Sequence, residues 1–413
     1  KEAKSIATFG NASYEFISGG TGSGDVNEAY TISLIEGLEN GGFEVDKKLE
    51  EVYAQYIHQM REKAGPSKNW ITALMGGQEP LDEMEITPDL ATQMAEKTDS
   101  ALITIGRNSG EGGDREAVAG DFYLTNTEKQ LIETVSKAFR AKGKKAIVVL
   151  NIGAPIETAS WAKTPDAVLL AWQPGQEAGY AVTDVLSGKV TPSGKLAVTF
   201  PLTYEDAPTS QTFPGYAIEG ATSDEADMSG FSMMRREPWE VVYEEDIFVG
   251  HRYYNTFDVP VAYEFGYGLS YTRFEYKDFN LSSSQFRNGL SASVRITNTG
   301  SVAGRETAQL YVSAPAGKRP KPASELIKFG KTGLLHPGDS ETLTFLIQAK
   351  DIASFDEERA AWIAGSGEYQ LQIGASSKKI KQATTFMLEE EMLVEQVTPH
   401  ALAPKQKIKK LKT

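Results

Sequence analysis

The chain has 413 residues, of which 40% are hydrophobic and 24% charged, and its net charge is −14. This composition is that of a globular protein, the length predicts two or three domains, and the negative charge argues against nucleic acid or an anionic membrane as a partner. There is no cysteine, so disulfides and Cys-ligated metals are excluded. The four histidines are far apart in sequence, which disfavours a His-rich metal site. No apolar stretch is as long as a membrane span.

Residues 1–205 alternate between strand and helix patterns, which predicts an α/β sandwich domain with a mostly parallel sheet. Apolar runs rich in β-branched residues, typical of central parallel strands, occur at 5–10, 100–106, 145–153 and 166–172. Helical spacing occurs at 28–61, 126–143 and 175–188. Asn126 is the predicted N-cap of the second of these helices.

The second half of the chain has a different pattern. Residues 206–272 contain several prolines and predict an irregular connecting segment. Residues 273–395 alternate apolar and polar positions with a period of two, which predicts an all-β sandwich of immunoglobulin-like size. Residues 396–413 predict a loosely structured tail that ends in the basic run KQKIKKLKT, which we expect to be solvated.

A first glycine-rich loop, ISGGTGSGDV at 17–26, follows a predicted strand. Asp25 stands where a P-loop would need lysine, and the glycine spacing does not match a dinucleotide fingerprint, so neither nucleotide motif fits. The loop presents Ser23 and Asp25 and would suit close approach by a neutral polyol. The alternative is a tight turn that needs glycine for its backbone conformation.

A second such loop, NSGEGGDR at 108–115, places Glu111 between two glycines. A catalytic carboxylate that must lie against a substrate would explain the pattern, and a plain solvated loop carboxylate is the alternative. Asp114 and Arg115 are interpreted as a structural ion pair that fixes the loop. Glycoside hydrolysis normally needs two carboxylates. The sequence offers no convincing second carboxylate to act with Glu111, because Asp25 can equally well be explained as a turn residue.

These loops, with VVLNIGAPIE, LLAWQPGQEAG, TPSGKLAVTFP and FGYGLSYTRFEY, make the chain resemble glycoside hydrolase family 3, the β-glucosidase group, over roughly residues 3–390. The family's β-glucosidases contain a TIM-like barrel, an α/β sandwich domain and a fibronectin type III-like domain. The chain resembles the second and third. The family's nucleophilic Asp lies in the barrel, so no nucleophile can be assigned here.

The resemblance implies a retaining β-glucosidase that hydrolyses terminal β-D-glucosyl residues of cello-oligosaccharides and aryl glucosides. It makes Glu111 the general acid/base and Ser23 a residue that touches the bound sugar. The barrel's Asp would attack the anomeric carbon while Glu111 protonates the glycosidic oxygen, and Glu111 would then activate water. The pKa of Glu111 must then lie above the usual value of about 4.3. No metal or cofactor is implied.

Several expectations stay open at this point. The alternative functions are a non-catalytic carbohydrate-binding or interaction module and a β-xylosidase of the same family. The expected partners are the substrate and the TIM-like barrel, which we expect upstream in the same polypeptide, with a separate chain or a downstream barrel as alternatives. A homodimer is possible. The absence of cysteine suits a bacterial cytoplasm or a periplasmic or secreted location equally.

Overall fold

The computed structural model describes residues 3–24, 26–64, 80–110, 114–218, 239–317, 319–398 and 408–411. Two compact units make up the chain, and they divide between Thr191 and Pro192. No helix in the described ranges has both the length and the apolar character needed to cross a bilayer.

The first unit contains one five-stranded sheet in which every pair of neighbouring strands is parallel. Its strands are β1 (Ser5–Phe9), β2 (Glu44–Val45), β3 (Ser100–Arg107), β4 (Lys145–Ile152) and β5 (Ala167–Leu170). Its helices are α1 (Leu34–Asn40), α2 (Lys47–Ala64), α3 (Pro88–Lys97), α4 (Asn126–Ala141) and α5 (Ala178–Leu186). The predicted parallel α/β domain is confirmed.

Helices cover both faces of the sheet, which explains why the strands read as continuous apolar runs. On one face, Ile6, Leu102 and Val149 form a buried cluster with residues of α1 and α5. On the other face, Phe9 packs edge to face against Phe139 of α4, with ring centroids 6.3 Å apart. Alternate residues of one strand therefore belong to two different cores.

Three local details differ from the sequence pattern. The segment 28–61, predicted as helical, is divided into α1 and α2 by the short strand β2, because a Gly-Gly turn ends α1. Helix α3 was not predicted, although Pro88 at its first turn is a start signal. The N-cap of α4 is Thr125, not Asn126: the Thr125 hydroxyl accepts the Glu128 N–H, and the Glu128 carboxylate accepts the Thr125 N–H in return.

The strand order, β2-β1-β3-β4-β5, has a functional consequence. The chain moves from β1 outward to β2 and then returns to place β3 on the other side of β1. In open α/β sheets, ligands bind beyond the carboxyl ends of the strands at the point where the order reverses. That point lies between the loops that follow β1 and β3, and these are the two glycine-rich loops.

The second unit begins with a segment of short elements. It contains β6 (Phe200–Pro201), β7 (Tyr216–Ala217), β8 (Trp239–Glu240), α6 (His251–Thr256) and β9 (Val261–Tyr263). Strand β6 pairs with β9, and β7 pairs with β8. Residues 200 and 201 thus pair within the second unit.

An antiparallel β-sandwich follows, as predicted from the period-two pattern. Its strands are β10 (Phe274–Leu281), β11 (Leu290–Asn298), β12 (Thr307–Ser313), β13 (Glu325–Lys331), β14 (Ser340–Ile347), β15 (Ser354–Asp356), β16 (Ala361–Ala364), β17 (Gly367–Gly374), β18 (Ile380–Leu388) and β19 (Met392–Gln396). Sheets β10-β11-β14 and β13-β12-β17-β18 enclose one apolar core.

The basic C-terminal run, which the sequence analysis expects to be solvated, is partly bound to the second unit. Lys410 forms ion pairs with Asp246 and Glu357.

Candidate functional site

The two glycine-rich loops meet at the carboxyl edge of the parallel sheet. Thr21 and Gly110 form a parallel β-bridge, and the Thr21 N–H donates to the Ser109 carbonyl at 3.1 Å. Ser23 lies in a 3₁₀ turn, Gly22–Gly24, two residues beyond the bridge. Glu111 comes directly after Gly110 in the chain. Residues 21 and 110, about ninety positions apart in sequence, thus bring the predicted loops together.

Two predicted site residues, Glu111 and Asp25, lie outside the described residues, and the same holds for the Ser23 side chain. Their backbone neighbours Gly110 and Gly24 are described. The roles assigned to Glu111, Ser23 and Asp25 therefore stay predictions, supported by the position of the loops that carry them.

Gly110 has no side chain for a reason that lies in the neighbouring loop. A Cβ atom at this position would stand 2.2 Å from the Thr21 Oγ1 and 2.5 Å from the Thr21 backbone nitrogen. A Cβ on Gly20 would likewise stand 2.9 Å from the Ser109 carbonyl oxygen. Close approach of two backbones explains these glycines without a ligand. The sequence analysis considered the approach of a substrate and, for the first loop, a tight turn, but not the contact between the two loops.

The second loop is closed by an ion pair between Arg115 and Asp121, at 2.5 Å. The Arg115 guanidinium also donates to the Asn108 carbonyl at 2.8 Å, and the second Asp121 oxygen accepts the Glu116 N–H at 2.6 Å. The ion pair predicted within Asp114–Arg115 is instead formed with Asp121. Asp114 is exposed and forms no ion pair with another residue in the described part of the chain.

A second, more deeply buried ion pair is hydrogen-bonded to this loop. Arg107, the last residue of β3, binds both carboxylate oxygens of Glu128 at 2.7 Å, and the two side chains are only 10% and 8% exposed. The Arg107 Nε donates to the Asp121 carbonyl at 3.1 Å. Because Glu128 also caps α4, the strand, the loop and the helix share one hydrogen-bond network.

Two side-chain amides, which the sequence analysis did not identify, form hydrogen bonds with the first loop. Asn151, near the end of β4, accepts the Ile17 N–H and donates to the Ile17 carbonyl, at 2.6 and 2.9 Å. Gln173, just beyond β5, donates to Asn108 Oδ1 at 2.6 Å and to the Gly19 carbonyl at 3.3 Å. A polar residue at the carboxyl end of a predicted parallel strand is the signal that could have found both.

Glu83 is a further carboxyl group that the sequence did not single out. It accepts the backbone N–H of Asn11, two residues beyond β1, at 3.0 Å, and that of Met84 at 2.9 Å. Burial raises the pKa of Glu83 to about 7, although these two hydrogen bonds act in the opposite direction. Across the described ranges, no three Asp, Glu or His side chains are grouped so that they could hold a metal ion.

Comparison with known proteins agrees with this geometry. Residues 1–271 match the Glycosyl hydrolase family 3 C-terminal domain, and residues 306–377 match the Fibronectin type III-like domain. Among curated proteins, Beta-glucosidase A of Butyrivibrio fibrisolvens is 34% identical over 95% of this chain and 49% of its own length. Beta-glucosidase of Ruminococcus albus is 32% identical over 96% and 39%. The chain thus spans at most about half the length of these relatives.

Solved structures give the same result. Beta-glucosidase 3B from Thermotoga neapolitana, in complex with alpha-D-glucose, is 46% identical with a TM-score of 0.84 over 95% of this chain and 51% of that one. A beta-glucosidase from Paenibacillus barengoltzii is 32% identical with a TM-score of 0.83 over 98% and 42%. The expected order, an α/β sandwich followed by a fibronectin type III-like sandwich, is therefore confirmed. The chain belongs to glycoside hydrolase family 3, of which it carries the C-terminal domain and a fibronectin type III-like domain.

Proposed function

We propose that this chain is part of a retaining β-glucosidase that hydrolyses terminal β-D-glucosyl residues of cello-oligosaccharides and aryl glucosides. The observation that carries the proposal is the meeting of the Ser23 and Glu111 loops at the switch point of the sheet, through the Thr21–Gly110 bridge. The relatives named beta-glucosidase support the activity, and the Thermotoga neapolitana structure, in complex with alpha-D-glucose, supports a glucosyl substrate.

In the proposed mechanism, Glu111 first acts as a neutral acid. It transfers its proton to the glycosidic oxygen while a nucleophilic Asp of a TIM-like barrel domain attacks the anomeric carbon, so the aglycone leaves as an alcohol and a covalent glycosyl-enzyme forms. Glu111 then takes a proton from water, which attacks the anomeric carbon and releases the sugar with retained configuration. Ser23 would hold the sugar from the other loop.

The test uses the protein expressed from its native gene and purified, so that any further segment or partner is kept. Gel analysis and intact mass identify what copurifies, and nitrophenyl β-glucoside and β-xyloside turnover is measured on the same sample. We expect a barrel-sized segment or partner and a preference for the glucoside. Preference for the xyloside would contradict the proposed substrate.

The assignment of Glu111 is tested by Glu111→Gln, with Glu116→Gln, an exposed carboxyl in the same loop, as the matched control. General acid/base catalysis is worth roughly 100-fold or more, so Glu111→Gln should lower kcat/KM for the nitrophenyl glucoside by about that factor. Glu116→Gln should stay within about twofold. An active Glu111→Gln enzyme would refute the acid/base role, and a chain that is inert together with everything that copurifies would instead be a binding module.

A further inference from the structure

Arg115 reaches both ends of the loop that carries Glu111. At the start of the loop its guanidinium donates to the Asn108 carbonyl at 2.8 Å. At the end, its partner Asp121 accepts the Glu116 N–H at 2.6 Å, and the ion pair joins the two at 2.5 Å. The two ends of segment 108–116 are thereby tied to each other.

This arrangement is anchored in rigid elements. The Asp121 carbonyl accepts the Nε of Arg107, whose guanidinium is locked onto Glu128 at the start of α4. The Arg115 and Asp121 side chains are only 15% and 23% exposed, whereas the lysine of a surface pair such as Lys189–Asp184 is 73% exposed. A partly buried pair in which both partners also form hydrogen bonds to the backbone keeps one geometry, unlike a mobile surface pair.

We propose that Arg115 and Asp121 are positioning residues that hold Glu111 in the geometry that proton transfer requires. The proposal rests on the proposed function, because it takes Glu111 as the acid/base. In the sequence, Glu111 follows one fixed point, the Thr21–Gly110 bridge, and precedes another, the Arg115–Asp121 pair. A displacement of about 1 Å at a reacting group can lower a rate by roughly 100-fold, so these fixed points have catalytic value.

The central test is Asp121→Asn, which removes the charge but leaves an oxygen that can still accept the Glu116 N–H. The matched control is Asp166→Asn. Asp166 has the same two kinds of contact, an ion pair with Lys145 at 2.7 Å and a hydrogen bond from the Ala146 N–H at 3.0 Å, but it lies at the amino end of the sheet, away from the loops. Both variants are made in the native gene.

The readout is kcat/KM for two substrates that differ in their need for an acid. Phenyl β-glucoside has a poor leaving group that must be protonated, whereas dinitrophenyl β-glucoside has a good one that departs without help. We expect Asp121→Asn to lower kcat/KM about tenfold for the phenyl substrate and less than twofold for the dinitrophenyl substrate. Asp166→Asn should leave both within about twofold.

A second variant, Arg115→Lys, keeps the charge but loses the planar fork that reaches Asp121 and Asn108 together, and we expect the same selective loss from it. Equal losses on both substrates, or values like those of Asp166→Asn, would overturn the positioning role. Glu111→Gln separates this from failure of the proposed mechanism: if it shows no selective loss for the phenyl substrate, Glu111 is not the acid and its acid/base role is wrong. If wild type turns over neither glucoside, the proposed function itself is wrong.

Discussion

At the scale of single residues, the environment of a side chain decides what its chemical group can do. Glu111 and Glu83 are both glutamates, yet only Glu111 stands between glycines in the sequence. Glu83 is distinguished by its surroundings: two backbone N–H groups bind it, and burial raises its pKa to about 7. Neither property is visible in the sequence LDEMEI.

The raised pKa of Glu83 predicts a pH-dependent stability. Its folded-state pKa of about 7 lies above the unfolded value of 4.5, so the folded protein binds this proton more tightly. The resulting stabilisation is complete below about pH 4.5 and is lost as the pH rises through 7. The loss from this residue should be on the order of 3 kcal/mol, by the usual conversion of pKa differences.

Urea unfolding of wild type and Glu83→Gln at pH 5 and pH 8 measures this loss. The amide carries no charge, so the free energy of unfolding of Glu83→Gln should fall less between the two pH values than that of wild type. Glu85→Gln, at an exposed carboxyl two residues away, is the control. An equal fall in Glu83→Gln and wild type would contradict the prediction.

At the scale of elements, the cap of α4 links helix stability to the site. Thr125 is the N-cap, and its partner in the capping box, Glu128, also holds Arg107 at the end of β3. The sequence pattern located the helix but shifted its start by one residue, because Thr125 and Asn126 are both good capping residues. Only the backbone conformation shows which of them caps.

Thr125→Ala should therefore lower the free energy of unfolding by about 1 kcal/mol, the usual value of an N-cap. Asn126→Ala should change it by less than about 0.5 kcal/mol, because Asn126 is the first helical residue and its side chain is not the cap. Urea unfolding of the two variants side by side provides the measurement. A larger effect of Asn126→Ala would show that the helix begins one residue later.

At the scale of the whole molecule, the sequence and the structure place the end of the first domain differently. The change in residue pattern predicts a boundary after 205, whereas the compact units divide between Thr191 and Pro192. Residues between these points belong to the second unit by their contacts: Phe200 pairs with Tyr263, and Lys195 forms a buried ion pair with Glu306 at 3.2 Å. Alternation of strand and helix cannot reveal such long-range pairing.

Fragments 192–413 and 206–413 distinguish the two boundaries. We expect the free energy of unfolding of fragment 192–413 to exceed that of fragment 206–413 by at least about 3 kcal/mol. The shorter fragment leaves the buried Glu306 without Lys195 and uncovers the surface that Phe200 packs against. Fragment 187–413, which adds five residues of the first unit, is the control and should match 192–413. Equal stability of 192–413 and 206–413 would support the boundary after 205.

The sequence by itself determined the features that depend on neighbouring residues. Buried parallel strands, amphipathic helices and alternating sandwich strands all leave a local periodicity, and the runs at 100–106 and 145–153 became β3 and β4 for this reason. The motifs around Glu111 and Ser23 also sufficed to predict the family.

Only the tertiary structure decided the contacts between distant residues. It placed the two glycine loops side by side through Thr21 and Gly110, gave Arg115 the partner Asp121 instead of its neighbour Asp114, and brought Gln173 onto Asn108. The physical reason is that the order of parallel strands is set by how the whole sheet buries its faces. No local pattern encodes which loops that order will bring together.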